Sequence, residues 1–157
     1  EWKRDQFPLA PVGSPLVPEQ PPPGNKQCLL LDPSDSVVDP MSEIEFRRER
    51  VHKAERWVPH GLTDRGRTTI RVCGLARPPL LTLYADHVVH VVRPRLQPFL
   101  AALEGEPRGR FQAWETAKRG LLARERPFRA LAHDAMNALV PKELRDRYGL
   151  ELARPML

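Results

Sequence analysis

The chain has 157 residues, including 25 lysines and arginines, 20 aspartates and glutamates, 18 prolines, nine glycines and two cysteines. This length suits at most one compact domain. Two cysteines cannot form a disulfide framework, and no apolar run reaches the roughly 18 residues that a membrane helix needs. The net charge of +5 makes the chain basic, but acids and bases are interleaved, so it is not a polycation.

Residues 1–39 have the composition of an extended arm. Half of the prolines lie in the first 40 residues, and each proline fixes φ and lacks an amide donor, which excludes helices and central strands. The interspersed side chains are more apolar than those of a solvated linker. We predict that the arm lies over partner subunits, with Trp2, Phe7 and Leu16 as contacts; an ordinary flexible tail is the alternative.

Charge divides the arm from the rest of the chain. The first 40 residues hold three bases and six acids, a net charge of −3, whereas residues 41–157 hold 22 bases and 14 acids, a net charge of +8. Tails that enter RNA are basic. We therefore expect the arm to contact protein, and any surface that faces phosphate to lie on the body, residues 40–157.

The body opens with signals for a helix. Pro40 suits a first helical turn, and Ser42 with Glu45 has the spacing of a capping box. The pattern predicts one long helix from about Pro40 to Trp57. Phe46 and Trp57 would share the side of this helix opposite a second apolar stripe, and two stripes require two packing partners. Phe46 and Trp57 are therefore candidate contacts with a partner protein.

Six arginines are candidate contacts with RNA or an acidic partner. Guanidinium groups bind phosphate and carboxylate in a bidentate manner, which makes arginine-rich segments suitable for either ligand. A solvated face of salt-bridged charges is the alternative. The six residues are Arg47, Arg48, Arg50, Arg71, Arg119 and Arg124.

The segment after the first helix has a strand-like pattern. Pro59 and Gly61 end that helix. Residues 68–73, 80–84 and 87–92 are β-branched or alternate between apolar and polar, which predicts a small antiparallel sheet of two or three strands. A sheet of this size needs helices or a partner to cover one face.

From Pro94 to the end the apolar spacing is helical. Apolar residues recur at i, i+3, i+4 and i+7, the spacing of amphipathic helices. The predicted stripes lie in 96–103, 111–122 and 128–139, and a terminal turn, Lys142 to Arg147, ends at Gly149. The predicted fold class is α+β, mainly α, with the arm, a long helix, a small sheet and C-terminal helices.

No spacing in the sequence predicts a catalytic, cofactor or metal site. His87 and His90 would point to opposite faces of a strand. Cys28 and Cys73 are far apart and belong to no CxxC pair, and no serine lies in a G-x-S-x-G turn. A strand cysteine among Val and Ile is typical of a core. We therefore expect neither enzymatic activity nor a small-molecule substrate.

These features predict a non-catalytic structural or accessory subunit of a large multi-subunit assembly, which fastens neighbouring subunits together. The arginine-rich body favours an organellar (mitochondrial) ribosome, with contacts to rRNA. The alternative is an accessory subunit of a mitochondrial respiratory or ATP synthase complex. A start at Glu1 is compatible with removal of an organellar presequence or with trimming, so the expected location is the matrix side of the mitochondrion. No transmembrane segment is expected.

Overall fold

The computed structural model describes residues 29–31, 38–51 and 54–154. These residues are mainly helical and include one two-stranded antiparallel sheet, which confirms the predicted fold class. In chain order the elements are α1 (Pro40–Glu43), β1 (Ile44–Val51), β2 (Ala54–Gly61), α2 (Asp64–Cys73), α3 (Pro78–His87), a π-helical turn (Val88–Val92), α4 (Arg93–Ala101), α5 (Pro107–Leu122), α6 (Arg129–Leu139) and α7 (Lys142–Arg147).

A helix begins at Pro40 as predicted, but it has a single turn. The Asp39 side chain caps it by accepting the Met41 N–H at 2.9 Å. Ile44 then adopts extended backbone, with φ −134° and ψ 133°. The predicted long helix to Trp57 is wrong, because the chain continues as the β1–β2 hairpin.

Burial alternates with a period of two along β2, where Trp57, Pro59 and Gly61 are buried and define the inner face, whereas Arg47 to Arg50 of β1 are exposed on both faces. Phe46 pairs with Pro59 and Arg48 with Trp57 across the two strands, so the four side chains share the inner face. The side chain of Trp57 is only 1% exposed. This two-residue alternation is the period that a half-buried strand requires.

The strands predicted at 68–73, 80–84 and 87–92 are wrong, because all three segments are helical. The Thr63 side chain caps α2 by accepting the Gly66 N–H at 3.1 Å, and Gly74 ends α2 with a left-handed φ of 61°. Pro78 lies in the first turn of α3, where its missing amide costs no hydrogen bond. Caps and prolines therefore override the β-branched composition.

The helix α2 approaches the hairpin so closely that two positions admit only glycine. A Cβ atom at Gly66 would overlap the carbonyl oxygen of Glu43, and one at Gly61 would overlap the backbone of Arg67. These contacts fix α2 against the base of the sheet.

A single continuous helical segment runs from α3 through the π-helical turn into α4. The Arg93 N–H donates to the Val88 carbonyl, five residues earlier, which is the widened bond of a π turn. Val88, Val92, Leu96 and Phe99 all have no exposed surface. The segment therefore carries one buried stripe despite the change in helical period.

The three predicted helical stripes correspond to α4, α5 and α6, and the predicted terminal turn corresponds to α7. Trp114 of α5 is fully buried, its ring centroid lies 5.0 Å from that of Phe99, and its indole N–H donates to the Glu151 carbonyl at 3.0 Å. In α6, Leu131 and Met136 are also fully buried. α6 packs against both β1 and α5 and so lies at the centre of the core.

Two long-range contacts join the hairpin end of the body to its C-terminal part. The Phe46 N–H donates to Asp134 Oδ2 of α6 at 2.7 Å. Arg154 Nη1 donates to the Met41 carbonyl at 3.0 Å. These bonds span 88 and 113 residues of sequence.

Residues 29–31 belong to the predicted arm and contact the body. The Leu31 N–H donates to Thr69 Oγ1 at 2.9 Å, and Arg65 Nε donates to the Leu30 carbonyl at 3.3 Å. This short segment therefore lies against α2 of its own chain. The predicted contacts Trp2, Phe7 and Leu16 lie outside the described residues, and the division at residue 39 stays a prediction.

Candidate functional site

Two arginines of the hairpin, Arg47 and Arg48, pair with carboxylates of the same chain, whereas no carboxylate of the described residues pairs with Arg50 or Arg56. Arg47 forms an ion pair with Glu45. Arg48 Nη2 lies 2.9 Å from Glu55 Oε2, and Arg93 Nη2 lies 2.8 Å from the same oxygen. A guanidinium with such a partner must give up that contact before it can bind an external phosphate.

Glu55 is the centre of this network. It accepts hydrogen bonds from Arg93 and also from the buried indole N–H of Trp57, at 3.1 Å. Burial alone would raise the pKa of Glu55, but these hydrogen bonds and the positive charges of Arg93 and Arg48 hold its pKa below the ordinary 4.5. Glu55 is therefore ionised at neutral pH and ties the hairpin to the start of α4.

A second group of arginines surrounds the C-terminal end of α5 and lacks carboxylate partners. Arg119, Arg124 and Arg126 are exposed, and Arg129 is half-buried. None of the four forms an ion pair with any residue in the described ranges. We call these four residues the α5-end cluster. Its guanidinium groups are free to bind an anion from solution.

The loop between α5 and α6 is held in place by Phe128. This residue has a φ of 54°, a left-handed backbone conformation that side chains other than glycine rarely adopt. Its ring packs at 5.8 Å from Tyr84 and at 5.1 Å from His87, measured between centroids. The Arg126 N–H donates to the Ala123 carbonyl at 3.0 Å and adds a turn. The contacts of Phe128 therefore anchor the loop that carries Arg124 and Arg126 to the core.

The six predicted RNA contacts separate into different regions of the fold. Arg47, Arg48 and Arg50 follow one another on β1. Arg71 is exposed in the last turn of α2. Only Arg119 and Arg124 belong to the α5-end cluster. RNA contact by all six stays a prediction.

The predicted partner contacts in the body lie on the inner face of the hairpin. The side chain of Trp57 is buried in the core of its own chain, so almost none of its surface is available to a partner. Phe46 packs edge-on against Tyr84 with ring centroids 5.1 Å apart. Ile44, Phe46 and Trp57, which a long helix would divide between two stripes, share one face of the hairpin, and α3 and α6 pack against the hairpin.

Arg126 and Arg129 were not among the predicted contacts, although they lie beside Arg124 in sequence. Nothing in the sequence separates an arginine that pairs with a carboxylate from one that does not. The nearest usable signal is Pro127, which breaks the helical pattern and marks residues 123–128 as a loop.

Cys73, His87 and His90 all lie on helical elements, and Cys28 lies outside the described residues. Cys73 is half-buried in α2, while His87 and His90 lie on the helical segment rather than on a strand. Within the described ranges, no three His, Cys, Asp or Glu side chains are placed to hold a metal ion. Among the described helices, none is both long and apolar enough to cross a bilayer.

Comparison with protein-family models, with curated proteins and with solved structures finds no match to this chain.

Proposed function

We propose that this chain is a non-catalytic structural subunit of a mitochondrial ribosome, on the matrix side, where it contacts rRNA and fastens neighbouring proteins. The α5-end cluster would bind RNA phosphates. The arm, through Trp2, Phe7 and Leu16, would contact protein, because its net charge is −3 and apolar side chains are interspersed among its prolines.

The observation that carries this proposal is the contrast between paired and unpaired arginines. The hairpin arginines Arg47 and Arg48 have carboxylate partners, whereas no carboxylate of the described chain pairs with Arg119 or Arg124. Unpaired guanidinium groups on a packed loop release counterions when they meet RNA, without first breaking an internal ion pair. A set of such groups suits a polyanion better than a single small anion.

RNA binding can be tested with the full chain and a fluorescein-labelled RNA hairpin of mixed sequence. Fluorescence anisotropy would be measured across a salt series for the wild type and for the double variant Arg119→Gln, Arg124→Gln. We expect the slope of log K against log salt to fall by about two, since each lost phosphate contact reduces it by about one. The matched control is the double variant Arg67→Gln, Lys142→Gln, which also removes two positive charges, each paired with a carboxylate of the chain, and should leave the slope almost unchanged.

The same experiment can refute the proposal. Equal slopes for the wild type and the double variant would show that the cluster does not face RNA. The assembly itself is tested by sedimentation of the native particle. Co-migration with ribosomal subunits supports the proposal, whereas co-purification with a detergent-solubilised membrane complex would favour the alternative, an accessory subunit of a respiratory or ATP synthase complex.

A further inference from the structure

A small pocket lies between the α3–α4 helical segment and the end of α5. Its lining includes His87, Val91, Arg95, Gly120, Arg126 and Pro127, and its volume is about 220 Å³. No carboxylate lines the pocket. Pockets for whole small molecules usually exceed about 300 Å³, so this one suits a single charged group and a few waters rather than a metabolite.

Two guanidinium groups give the pocket its charge, and they come from different elements. Arg95 is on α4, and Arg126 is on the loop that Phe128 fixes. Neither forms an ion pair with a described residue. Burial and the positive charge of Arg95 lower the pKa of His87 below 6.5, so the imidazole is neutral at pH 7 and can donate one N–H to an anion.

Arg95 packs against α5, and its hydrogen bond within the chain uses only one of its guanidinium N–H donors. Its Nη1 donates to the Val91 carbonyl at 3.3 Å, which leaves four of the five guanidinium N–H groups. Its stem lies over Gly120, where an added Cβ would meet the Cδ and Nε atoms of Arg95 at 3.7 Å. The missing side chain at Gly120 therefore keeps the pocket open beside Arg95.

We propose that this pocket binds one backbone phosphate of the RNA, with Arg95 and Arg126 as its two charged ligands. The inference rests on the proposed function and extends it beyond the predicted arginines. Two guanidinium groups from separate elements that line one pocket can place two positive charges beside one phosphate, whereas a single surface arginine supplies one. His87 also lines the pocket and has a neutral N–H that it can donate.

The first test changes the ligands. Arg95→Gln and Arg126→Gln should each weaken RNA binding roughly five- to eightfold at 0.1 M salt, with the difference disappearing near 1 M, because each removes one phosphate contact. The control Arg67→Gln removes the same charge from an arginine that pairs with Asp64 at 2.6 Å and should change binding little. Circular dichroism and thermal unfolding confirm that each variant is folded.

The second test fills the pocket without changing charge. Gly120→Leu places a bulky side chain beside Arg95 and should weaken RNA binding by about as much as Arg95→Gln. Gly120→Ala is its control, since a lone Cβ fits at ordinary contact distance and should leave binding nearly unchanged. If Gly120→Leu does not fold, the two arginine variants still decide the question.

A titration with inorganic phosphate, followed by the NMR signals of His87 and of Arg95 Nε–H, separates failure of the pocket from failure of the function. Shifts of both signals that are lost in Arg126→Gln support the phosphate site. Salt-dependent RNA binding that is unaffected by all three pocket variants would overturn the pocket and leave the proposed function standing. Phosphate binding without RNA binding would overturn both the pocket and the proposed function. Displacement of the RNA by polyglutamate at the same concentration would also overturn both.

Discussion

The carboxylate of Glu55 offers the sharpest test of how the hairpin is attached to the helices. It pairs with Arg48 and Arg93, and it accepts the indole N–H of the buried Trp57. Glu55→Gln keeps an oxygen for the indole but loses both ion pairs. Each pair is partly exposed and contributes about 0.2–1 kcal/mol, so the free energy of unfolding should fall by about 1 kcal/mol. Glu55→Ala also leaves the indole N–H of Trp57 without its acceptor, and it should lower the free energy of unfolding by about 2–3 kcal/mol.

The pH dependence has a definite sign. Since folding lowers the pKa of Glu55 below 4.5, its contribution to stability is present above that pH and is lost as the pH falls through the folded-state pKa. The difference between the wild type and Glu55→Gln should therefore shrink steadily below pH 4.5.

Urea unfolding followed by tryptophan fluorescence measures both effects, because Trp57 and Trp114 are buried and report on the core. Glu104→Gln is a matched control at an exposed glutamate that forms no ion pair with the described residues. Equal midpoints for the wild type and Glu55→Gln at pH 7, or a difference that persists unchanged at acid pH, would refute this account of the network.

Three further changes test the core and the helices. Asp134→Ala removes the acceptor of the Phe46 N–H and should destabilise the protein by about 2 kcal/mol; urea unfolding checks this, with Asp134→Asn expected to lose less. Trp114→Phe leaves a cavity and abolishes the hydrogen bond to Glu151, so its unfolding midpoint should fall by the equivalent of about 2 kcal/mol. Gly120→Ala should raise the melting temperature, since alanine is favoured over glycine in a helix by about 1 kcal/mol and the added Cβ has room.

The C-terminal half of the fold was predictable because one period dominates it. The apolar residues of 96–139 recur at helical spacing, and Gly149 ends the last helix with a φ of 63°. The buried side chains of all these helices pack into the same core. Local pattern and tertiary packing therefore agree, and the helices lie close to where the sequence predicts them.

The N-terminal half was misread because composition and end signals conflict there. Ser42 and Glu45 have capping-box spacing, but Ile44, Phe46 and Trp57 share one packed face of the hairpin, so tertiary packing favours strands here. Residues 68–73 are β-branched, yet Thr63 and Gly74 mark both ends of a helix. In this segment the caps are more informative than the propensities of the residues between them.

The candidate site was only partly accessible from the sequence. The sequence singles out Arg119 and Arg124 as candidate contacts. The role of Arg95 depends instead on its position over Gly120. Because Arg95 and Gly120 lie 25 positions apart, no local sequence pattern connects them. Pairing of Arg48 with Glu55 is equally invisible until the hairpin register is known.

The bond between Phe46 and Asp134 joins two parts of the chain that are synthesised at different times. Asp134 follows Phe46 by 88 residues, which takes roughly 4–18 s at ordinary rates of translation. During that interval the inner face of the hairpin has no cover from α6. A nascent chain halted before Asp134 should therefore expose the Trp57 side of the sheet to chaperones or to self-association.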